Sequence, residues 1–434
     1  MIKKSILIFV IALSTNILSF SQSVINSPYT RYGIGEINRN GFNNSKAMGG
    51  LSTGLRKGNQ INYMNPAAIS SQDTMSFIFD VGANVISNEL KTTNDQLTYN
   101  NGSFDHIAIA FPIKRWWFGG ISINPYSKIG YNVTQSETHP YLPETETFYN
   151  YLGDGGINQF TISNSFKIGK NFAVGLNYNY LFGTIEQYNQ TYINDANSYS
   201  TVVYDKYTMN ESNFDIGIQY YTDITDKYFV VLGANYSTQV NFKAKNNTAE
   251  LTAGNFINAG LNIIDYLALG GSVDTLSASV IEDVKIEVPA RYSVGFSGGI
   301  KNKLTVGFDF SYQDWSDVKS PDISNNYTVD ETYNFGLEYI PNFYDLRNYF
   351  KKINYRAGAF YNNSYIQIND TQVKNYGITF GLGFPIANQR TSLNVSYTYG
   401  KRGEVNNGLI EETYSMIGIN LTLYDFWFIK RKFQ

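Results

Sequence analysis

The residues best suited to acid–base or nucleophilic chemistry are few in this 434-residue chain. It contains two histidines, His106 and His139, and no cysteine. Without cysteine there are no disulfides, no thiolate metal sites and no cysteine nucleophile. A hydrolase of the serine type needs a nucleophile beside a base, and the chain has no Gly-x-Ser-x-Gly motif. We therefore predict that the protein is not an enzyme and has no catalytic residues, metal site or cofactor.

Six ionisable residues lie in segments where polar and apolar residues alternate, which is typical of strands. Because strand side chains point to opposite faces in turn, these six share the face opposite the apolar residues. They are Asp80, His106, Asp215, Arg291, Asp309 and Arg356. If the strands close into a barrel, this face is the lumen. There, opposite charges either pair and brace the wall or line a path for a polar solute.

The elements that position these residues must suit an unusual composition. Charged residues make up 16% of the chain, whereas average globular chains carry about 25%. Aromatic residues reach 16%, and Tyr in particular suits a membrane–water boundary. The net charge is −3 and no run of Lys or Arg is present, so nucleic acid is excluded as a partner. Much of the surface is therefore predicted to face lipid rather than water.

Residues 1–21 are predicted to form a cleaved secretory signal. Lys3 and Lys4 precede a mostly apolar run over 6–13, and small residues at Ser19 and Ser21 suit cleavage before Gln22. The alternative is a membrane anchor, for which the run is too short. No later segment has 18 uncharged apolar residues in succession, so a helical inner-membrane protein is excluded.

Period-two alternation recurs along the remaining chain, most clearly over 172–180, 304–312 and 393–399. Many of these segments are long enough for a tilted strand to cross a bilayer, which takes about 9–11 residues. The links between them alternate between short and long, which is typical of outer-membrane barrels. An even number of strands also places both chain ends in the periplasm. We therefore predict an all-β, antiparallel transmembrane β-barrel of about 14 strands, near 75–87, 103–113, 116–133, 146–168, 171–187, 200–222, 227–243, 275–299, 303–317, 328–341, 352–365, 373–386, 389–402 and 411–424.

Several motifs resemble those of the FadL family, also called the OmpP1 family, of outer-membrane transporters. Ala47-Met48-Gly49-Gly50 followed by Asn65-Pro66-Ala67 is similar to the Gly-rich stretch and Asn-Pro-Ala motif of the family's N-terminal hatch. Segments 289–295, 309–316, 355–361 and 377–399 resemble later strands, and 27–35 resembles the Bacteroidetes branch. The resemblance implies a 14-stranded barrel with a hatch. It places Gly49, Gly50, Asn65, Pro66 and Ala67 in the hatch or ligand path.

The domain organisation follows from the alternation and the resemblance together. Residues 1–21 are the signal peptide, 22–74 the hatch or plug, and 75–434 the barrel. The segment 22–74 is rich in turn-forming glycines and too irregular for a strand. Irregular backbone at membrane depth is tolerated where protein buries it. The alternative is an extension that packs outside the lumen.

The resemblance implies passive uptake of small hydrophobic molecules, such as fatty acids and aromatics, with outer-membrane lipid around the barrel. Pro125 is a candidate kink for a side opening. The alternative is a non-transporting structural or accessory subunit of an outer-membrane complex, with other envelope proteins as partners. The apolar residues of links 245–274 and 341–351 are candidate interaction surfaces.

Overall fold

A computed structural model describes residues 25–38, 41–93, 95–139, 142–193, 198–254, 271–318, 327–386, 390–405 and 409–426. The predicted signal peptide, the apolar residues 256–267 of the link 245–274, and residues 427–434 lie outside the described residues. The strands are β1 (Glu36–Ile37), β2 (Ser76–Lys91), β3 (Gln96–Pro112), β4 (Trp117–His139), β5 (Leu142–Ile168), β6 (Phe172–Ile193), β7 (Tyr199–Asp223), β8 (Tyr228–Ser237), β9 (Val240–Gly254), β10 (Asp274–Val288), β11 (Arg291–Ile300), β12 (Leu304–Asp314), β13 (Val329–Tyr339), β14 (Asn354–Ile368), β15 (Thr371–Pro385), β16 (Ser392–Arg402) and β17 (Glu411–Phe426).

In the residues that the structure describes, helical structure is confined to short pieces. These are one α-helical turn, α1 (Asn43–Lys46), and 3-10 turns at Pro28–Arg31, Pro66–Ser71 and Tyr349–Lys352. Within the described part of the chain, no helix is long and apolar enough to cross a membrane.

The strands β2 to β17 form one closed antiparallel barrel. Except at β8–β9 and β10–β11, each pairs with its sequence neighbours, and β17 pairs with β2 from Glu411–Lys91 to Phe426–Ser76, which closes the sheet. β8 and β9 continue one another, as do β10 and β11: β7 pairs with both of the first two, and β8–β11 and β9–β10 are paired. The wall is therefore crossed 14 times, which confirms the prediction of a 14-stranded barrel. Because β2 and β17 are paired, the sheet has no open edge that faces lipid at this contact.

Several strands extend further than the sequence predicted. The predicted link 91–102 is mostly strand, because β2 runs to Lys91 and β3 begins at Gln96. The predicted strand 275–299 is two strands, broken at Pro289-Ala290, where proline cannot donate a ladder hydrogen bond. Polar hairpins can continue past the membrane, where alternation no longer marks their ends.

The outer wall is apolar and the inner wall polar or small. On β7, Ile216, Ile218 and Tyr220 are exposed, while Asp215 and Gln219 are buried. A continuous exposed apolar outer face on a closed barrel needs lipid around it. The molecule is therefore an outer-membrane β-barrel.

The two ends of the barrel differ in the lengths of their links. Residues 25–75, here called the N-terminal segment, lie inside the barrel and pack against the inward-facing side chains of the wall. The turn end carries the links 113–116, 169–171, 224–227, 301–303, 340–353 and 386–391. The loop end carries the links 92–95, 140–141, 194–198, 255–273, 315–328, 369–370 and 403–410. The N-terminal segment is mostly buried, although it contains little regular structure.

Candidate functional site

The contact between α1 and the wall centres on His106 of β3. The ring of Phe42 stacks on the His106 ring, with centroids 3.7 Å apart and planes 9° from parallel. His106 Nε2 lies 3.0 Å from Asp80 Oδ1, and His106 Nδ1 lies 2.7 Å from Asp105 Oδ2. Lys46 of α1 forms a buried ion pair with Asp105. His106 is completely buried between two carboxylates, so it anchors the segment and has no access to a substrate.

The Gly-rich stretch makes the closest backbone approach to the wall. Gly49 has a φ of +68°, which favours glycine. A Cβ there would collide with the carbonyl oxygens of Phe335 and Ala359, and a Cβ on Gly358 would collide with the Gly49 amide nitrogen. Glycine is therefore required on both sides of this contact. Gly50 also has a positive φ and its N–H donates to the Ser45 carbonyl oxygen.

Asp309 of β12 holds the next turn of the segment through its carboxylate. Its Oδ2 accepts hydrogen bonds from the backbone N–H groups of Ser52 at 2.6 Å and Thr53 at 2.7 Å. Its Oδ1 accepts a third from Gly54 N at 3.0 Å. Charge-assisted bonds of this kind are roughly twice as strong as neutral ones. Asp309 is thus a fixed point of attachment.

The Asn-Pro-Ala motif caps a 3-10 turn that lies against glycines of the wall. Asn65 Oδ1 accepts from Ala67 N at 3.2 Å, and Asn65 Nδ2 donates to the Thr53 carbonyl oxygen at 2.9 Å. A Cβ on Gly175 of β6 would overlap Pro66 and Ala67, and a Cβ on Gly217 of β7 would overlap Asn65. The motif therefore fits a shallow groove that only glycine leaves open.

A buried charge network joins the segment to β13 and β14. Glu338 forms ion pairs with Lys57 of the segment and with Arg356, whose Nε donates at 2.8 Å. Arg356 Nη1 also donates to Asn394 Oδ1 at 2.9 Å and to Asn44 Oδ1 at 3.3 Å. Breaking one partner of a buried pair usually costs about 3–5 kcal/mol, so this network resists displacement of the segment.

A second ionic network lies nearer the loop end. Arg402 Nη2 is 2.8 Å from Glu36 Oε1, and Arg402 Nη1 is 3.4 Å from Glu412 Oε2. Burial alone would raise the pKa of Glu36, but the neighbouring guanidinium of Arg402 holds that pKa below its usual range. Glu36 therefore stays ionised and paired with the wall.

Asp215 and Arg291 lie apart from these anchors, around a small cavity. The Asp215 carboxylate accepts hydrogen bonds from the side chains of Asn177, Asn179 and Ser237. Arg291 is half-buried and lines the same cavity of about 40 Å³. Asp215 therefore braces the wall and Arg291 borders the cavity, and neither residue attaches the N-terminal segment.

The wall has a seam between β3 and β4. Their ladder runs only from Pro112–Phe118 to Ile107–Ile123, whereas β4 pairs with β5 along nearly its whole length. A register shift in β4 lies between Pro125 and Ser127, at the position of the predicted kink. Beyond it, the N-terminal segment occupies the edge of β4: β1 pairs with Lys128 and Ser127, and Ser27 N donates to the Gly130 carbonyl oxygen at 2.8 Å.

The loop-end half of the lumen is apolar and tightly filled. Its cluster combines Tyr29 and Ile34 of the segment with wall residues such as Phe242 and Trp315. Between the segment and β13–β14, the cavity has a volume of about 80 Å³ and a mixed lining that includes Glu36 and Arg402.

The structure thus places five of the six sequence-selected polar residues, all except Arg291, in buried side-chain networks, and it places the two motifs at the wall. Sequence reasoning missed Lys46, Lys57, Glu36 and Arg402, and also Glu338 among the wall carboxylates. The available signal was the row of glycines at inward strand positions, which marks where another backbone approaches closely. The partners themselves lie up to 366 residues apart along the chain and carry no local signature.

Several solved structures share the fold of this barrel. The P. putida toluene transporter TodX superposes with a TM-score of 0.59 at 13% identity, over 90% of this chain and 99% of that chain. A Pseudomonas aeruginosa FadL homologue gives 0.57 at 14%, over 88% and 98%. The CymD monoaromatic hydrocarbon channel gives 0.57 at 14%, over 89% and 97%. Among curated proteins, no sequence matches this chain.

The fold and the inward-packed segment define the class: an outer-membrane barrel with the fold of FadL-type channels. Of these neighbours, CymD is described as a channel and TodX as a transporter. The chain belongs to the BamG family, whose family model matches residues 1–434.

Proposed function

We propose that this protein is a closed, non-conducting accessory subunit of an outer-membrane protein complex, in which the N-terminal segment is a fixed plug. The observation that carries the proposal is the combination of a plug anchored at several strands with cavities of only about 80 and 40 Å³ on the loop-end side of that plug. Both features are properties of the resting barrel.

The two cavities on the loop-end side of the plug are small compared with known ligand sites. The two small lumen cavities measure about 80 and 40 Å³, whereas a protein cavity that admits benzene has a volume of about 150 Å³. Pockets for larger ligands have volumes of about 300–1,000 Å³. In the described lumen, neither cavity therefore accommodates even a monoaromatic hydrocarbon without movement of the plug.

Charged contacts attach the plug to several strands of the wall. Lys46–Asp105, Lys57–Glu338 and Glu36–Arg402 attach the plug to β3, β13 and β16, and Asp309 attaches it to β12. β12 and β13 are neighbours, but β16 and β3 lie further round the barrel, so the contacts are spread over three places on the wall and no single hinge movement releases all four. Removing a partner from a buried pair leaves an uncompensated charge. The plug is therefore expected to remain in place at neutral pH.

A second candidate function is the passive uptake of small hydrophobic molecules. It is favoured by the apolar cluster in the loop-end half of the lumen and by the seam between β3 and β4. TodX is described as a toluene transporter and CymD as a monoaromatic hydrocarbon channel. In this chain, uptake would require residues 27–38 to leave the edge of β4.

Purification from native membranes in a mild detergent separates the two functions, because it reports partners and trapped ligand together. The accessory function predicts a stoichiometric complex and an empty lumen. A lone barrel with lipid in its lumen would reject it. As a matched measurement, intact cells with this barrel in a lipopolysaccharide outer membrane should take up radiolabelled toluene no faster than cells without it, while cells expressing TodX serve as the positive control.

A further inference from the structure

The turn end of the barrel contains a large open cavity beside the plug. Its volume is about 880 Å³, and its floor is formed by residues 56–60 of the plug together with Ser71 and Asp73. Its walls are the turn-end parts of β5, β7, β8, β12 and β13. We call this cavity the vestibule. Its volume lies within the usual range for ligand sites, about 300–1,000 Å³.

The vestibule carries an excess of positive charge. Seven Lys and Arg side chains line it against three carboxylates. Each carboxylate is already paired: Asp73 with Arg390, Asp223 with Lys301, and Glu338 with Lys57. In the part of the chain that the structure describes, the other four cations have no carboxylate within ion-pair distance; they are Arg56, Lys167, Lys170 and Lys303.

Arg56 shows that this excess extends into the floor. Its guanidinium donates to the Ala67 carbonyl oxygen, Gln219 Oε1 and Ser70 Oγ, and it lies 3.9 Å from the centre of the Tyr221 ring. All these partners are neutral. Burial lowers the pKa of Arg56 to about 10. A buried cation with only neutral partners is stabilised when an anion approaches it.

The rim beside the vestibule is apolar and ordered. Phe343 and Tyr344 line it, and Leu346 and Phe350 next to them are 94% and 71% exposed. Asp345 accepts backbone hydrogen bonds from Arg347 and Asn348, which fixes the shape of this link. Large apolar side chains held exposed on a fixed link are typical of an interaction surface.

The short turns of outer-membrane barrels face the periplasm, which places the vestibule on that side. We propose that the vestibule and its rim bind an acidic segment of a periplasmic partner protein that also carries apolar or aromatic side chains. The inference rests on the proposed accessory function and names the chemistry of the partner. Acidic side chains match the four cations that lack carboxylate partners, and apolar side chains match the rim. The chain's own last residues, 427–434, include Lys430, Arg431 and Lys432 and no acidic side chain, so their charge does not suit the vestibule.

The test uses the full-length barrel in nanodiscs of phosphatidylcholine. The probe is a fluorescein-labelled 12-residue peptide of Asp and Glu with two Phe residues, and the comparison peptide replaces each acid with its amide. Fluorescence anisotropy should show binding of the acidic peptide only, weaker at 300 mM than at 50 mM NaCl because salt screens exposed charges.

The decisive variant is Lys170→Glu/Lys303→Glu, which changes two exposed turn residues and leaves the plug contacts intact. It should bind the acidic peptide at least ten-fold more weakly. The matched control is Lys243→Glu/Lys285→Glu, a cross-strand pair of exposed lysines on β9 and β10, which should bind as the unmodified barrel does.

Equal binding by both variants, or equal binding of both peptides, would overturn the inference. Soluble dihexanoyl-phosphatidylglycerol that binds with the same lysine dependence while the peptide does not would assign the vestibule to a lipid headgroup instead. Purification of the native complex distinguishes failure of the docking site from failure of the accessory function. If the Lys170→Glu/Lys303→Glu barrel still purifies with its partners, the accessory function stands and the vestibule is not the docking site.

Discussion

Phe42 of the plug and His106 of the wall lie face to face, with their ring centroids 3.7 Å apart. This contact joins a residue of the irregular N-terminal segment to the polar face of β3. It also covers the His106 ring while both ring nitrogens face carboxylates. The seating of the plug therefore depends on a packed aromatic contact as much as on charge.

Phe42→Ala should loosen the plug. Truncating a buried Phe typically costs about 3–5 kcal/mol, and here the loss falls on the segment rather than on the barrel ladder. Trypsin sites at Lys46, Arg56 and Lys57 are buried or half-buried in the seated plug. Cleavage at these sites should become at least ten-fold faster. Phe214→Ala, an outward-facing residue of β7, is the control, and equal cleavage of both variants would contradict the prediction.

The sequence predicted the wall more completely than the contacts inside it. Alternation fixes which side chains face inward, because it is a local property with a period of two. Asp309 and Arg356 could therefore be placed on the lumen face from sequence. Their partners Ser52 and Asn44 could not, because more than 250 residues separate each pair and no local rule links them.

The strand ends were also difficult to predict, for a physical reason. Outside the bilayer both faces of a hairpin meet water, so the run Asn100-Asn101-Gly102-Ser103 contains no apolar side chain. Strand pairing there is maintained by the ladder alone. Alternation therefore ends where the membrane ends, while β3 continues.

Asp309→Asn should weaken the attachment of residues 52–54. One carboxylate oxygen is replaced by an amide group that cannot accept a hydrogen bond, so at least one buried N–H loses its acceptor. Such a loss costs about 1–3 kcal/mol. Hydrogen exchange measured by mass spectrometry should become roughly 5- to 150-fold faster in a peptide that contains Ser52, Thr53 and Gly54.

Asp314→Asn is the matched control for this substitution. Asp314 lies on the same strand as Asp309, but it is exposed and accepts a hydrogen bond from its near neighbour Ser316. Exchange at residues 52–54 should therefore be unchanged in this variant. A uniform increase over the whole barrel in Asp309→Asn would indicate a general loss of stability rather than a lost attachment.

Gly49→Ala should prevent the Gly-rich stretch from reaching the wall. Alanine is strained at a φ of +68°, and its Cβ would meet the carbonyl oxygens of Phe335 and Ala359, which belong to the ladder and cannot easily move. The barrel should still migrate as a heat-modifiable band, while the plug becomes susceptible to protease. Gly102→Ala is the control, because a Cβ there meets nothing within 4 Å. Equal protection of the plug in both variants would show that the close approach is not required.

The Glu36–Arg402 pair should make plug seating depend on acid. The pKa of Glu36 is depressed in the folded protein, so its contribution to stability is complete above the unfolded pKa of about 4.3 and is lost as the pH falls below it. Protease protection of residues 25–38 should therefore decrease between pH 5 and pH 3, as measured with pepsin against pH-matched standards. Glu36→Gln should show weaker protection at pH 7 and less change with pH. A pH profile identical to that of the unmodified protein would exclude Glu36 as the group responsible.

Thr30→Val should open the seam between β3 and β4. The Thr30 hydroxyl accepts a hydrogen bond from Gly130 N at 3.1 Å, and it lies 3.0 Å from the Gly130 carbonyl oxygen and 2.7 Å from that of Ser27. Valine keeps the shape but leaves the Gly130 N–H without its acceptor at an edge that β3 does not cover, at a cost of about 1–3 kcal/mol. Hydrogen exchange at Gly130 should accelerate while exchange in β5 and β6 does not. Thr134→Val, further along β4 and exposed, is the control. If the accessory function is correct, the opened seam should not speed toluene uptake by intact cells that carry the variant in a lipopolysaccharide outer membrane. Rapid toluene uptake by Thr30→Val alone would instead favour a channel that the plug keeps closed.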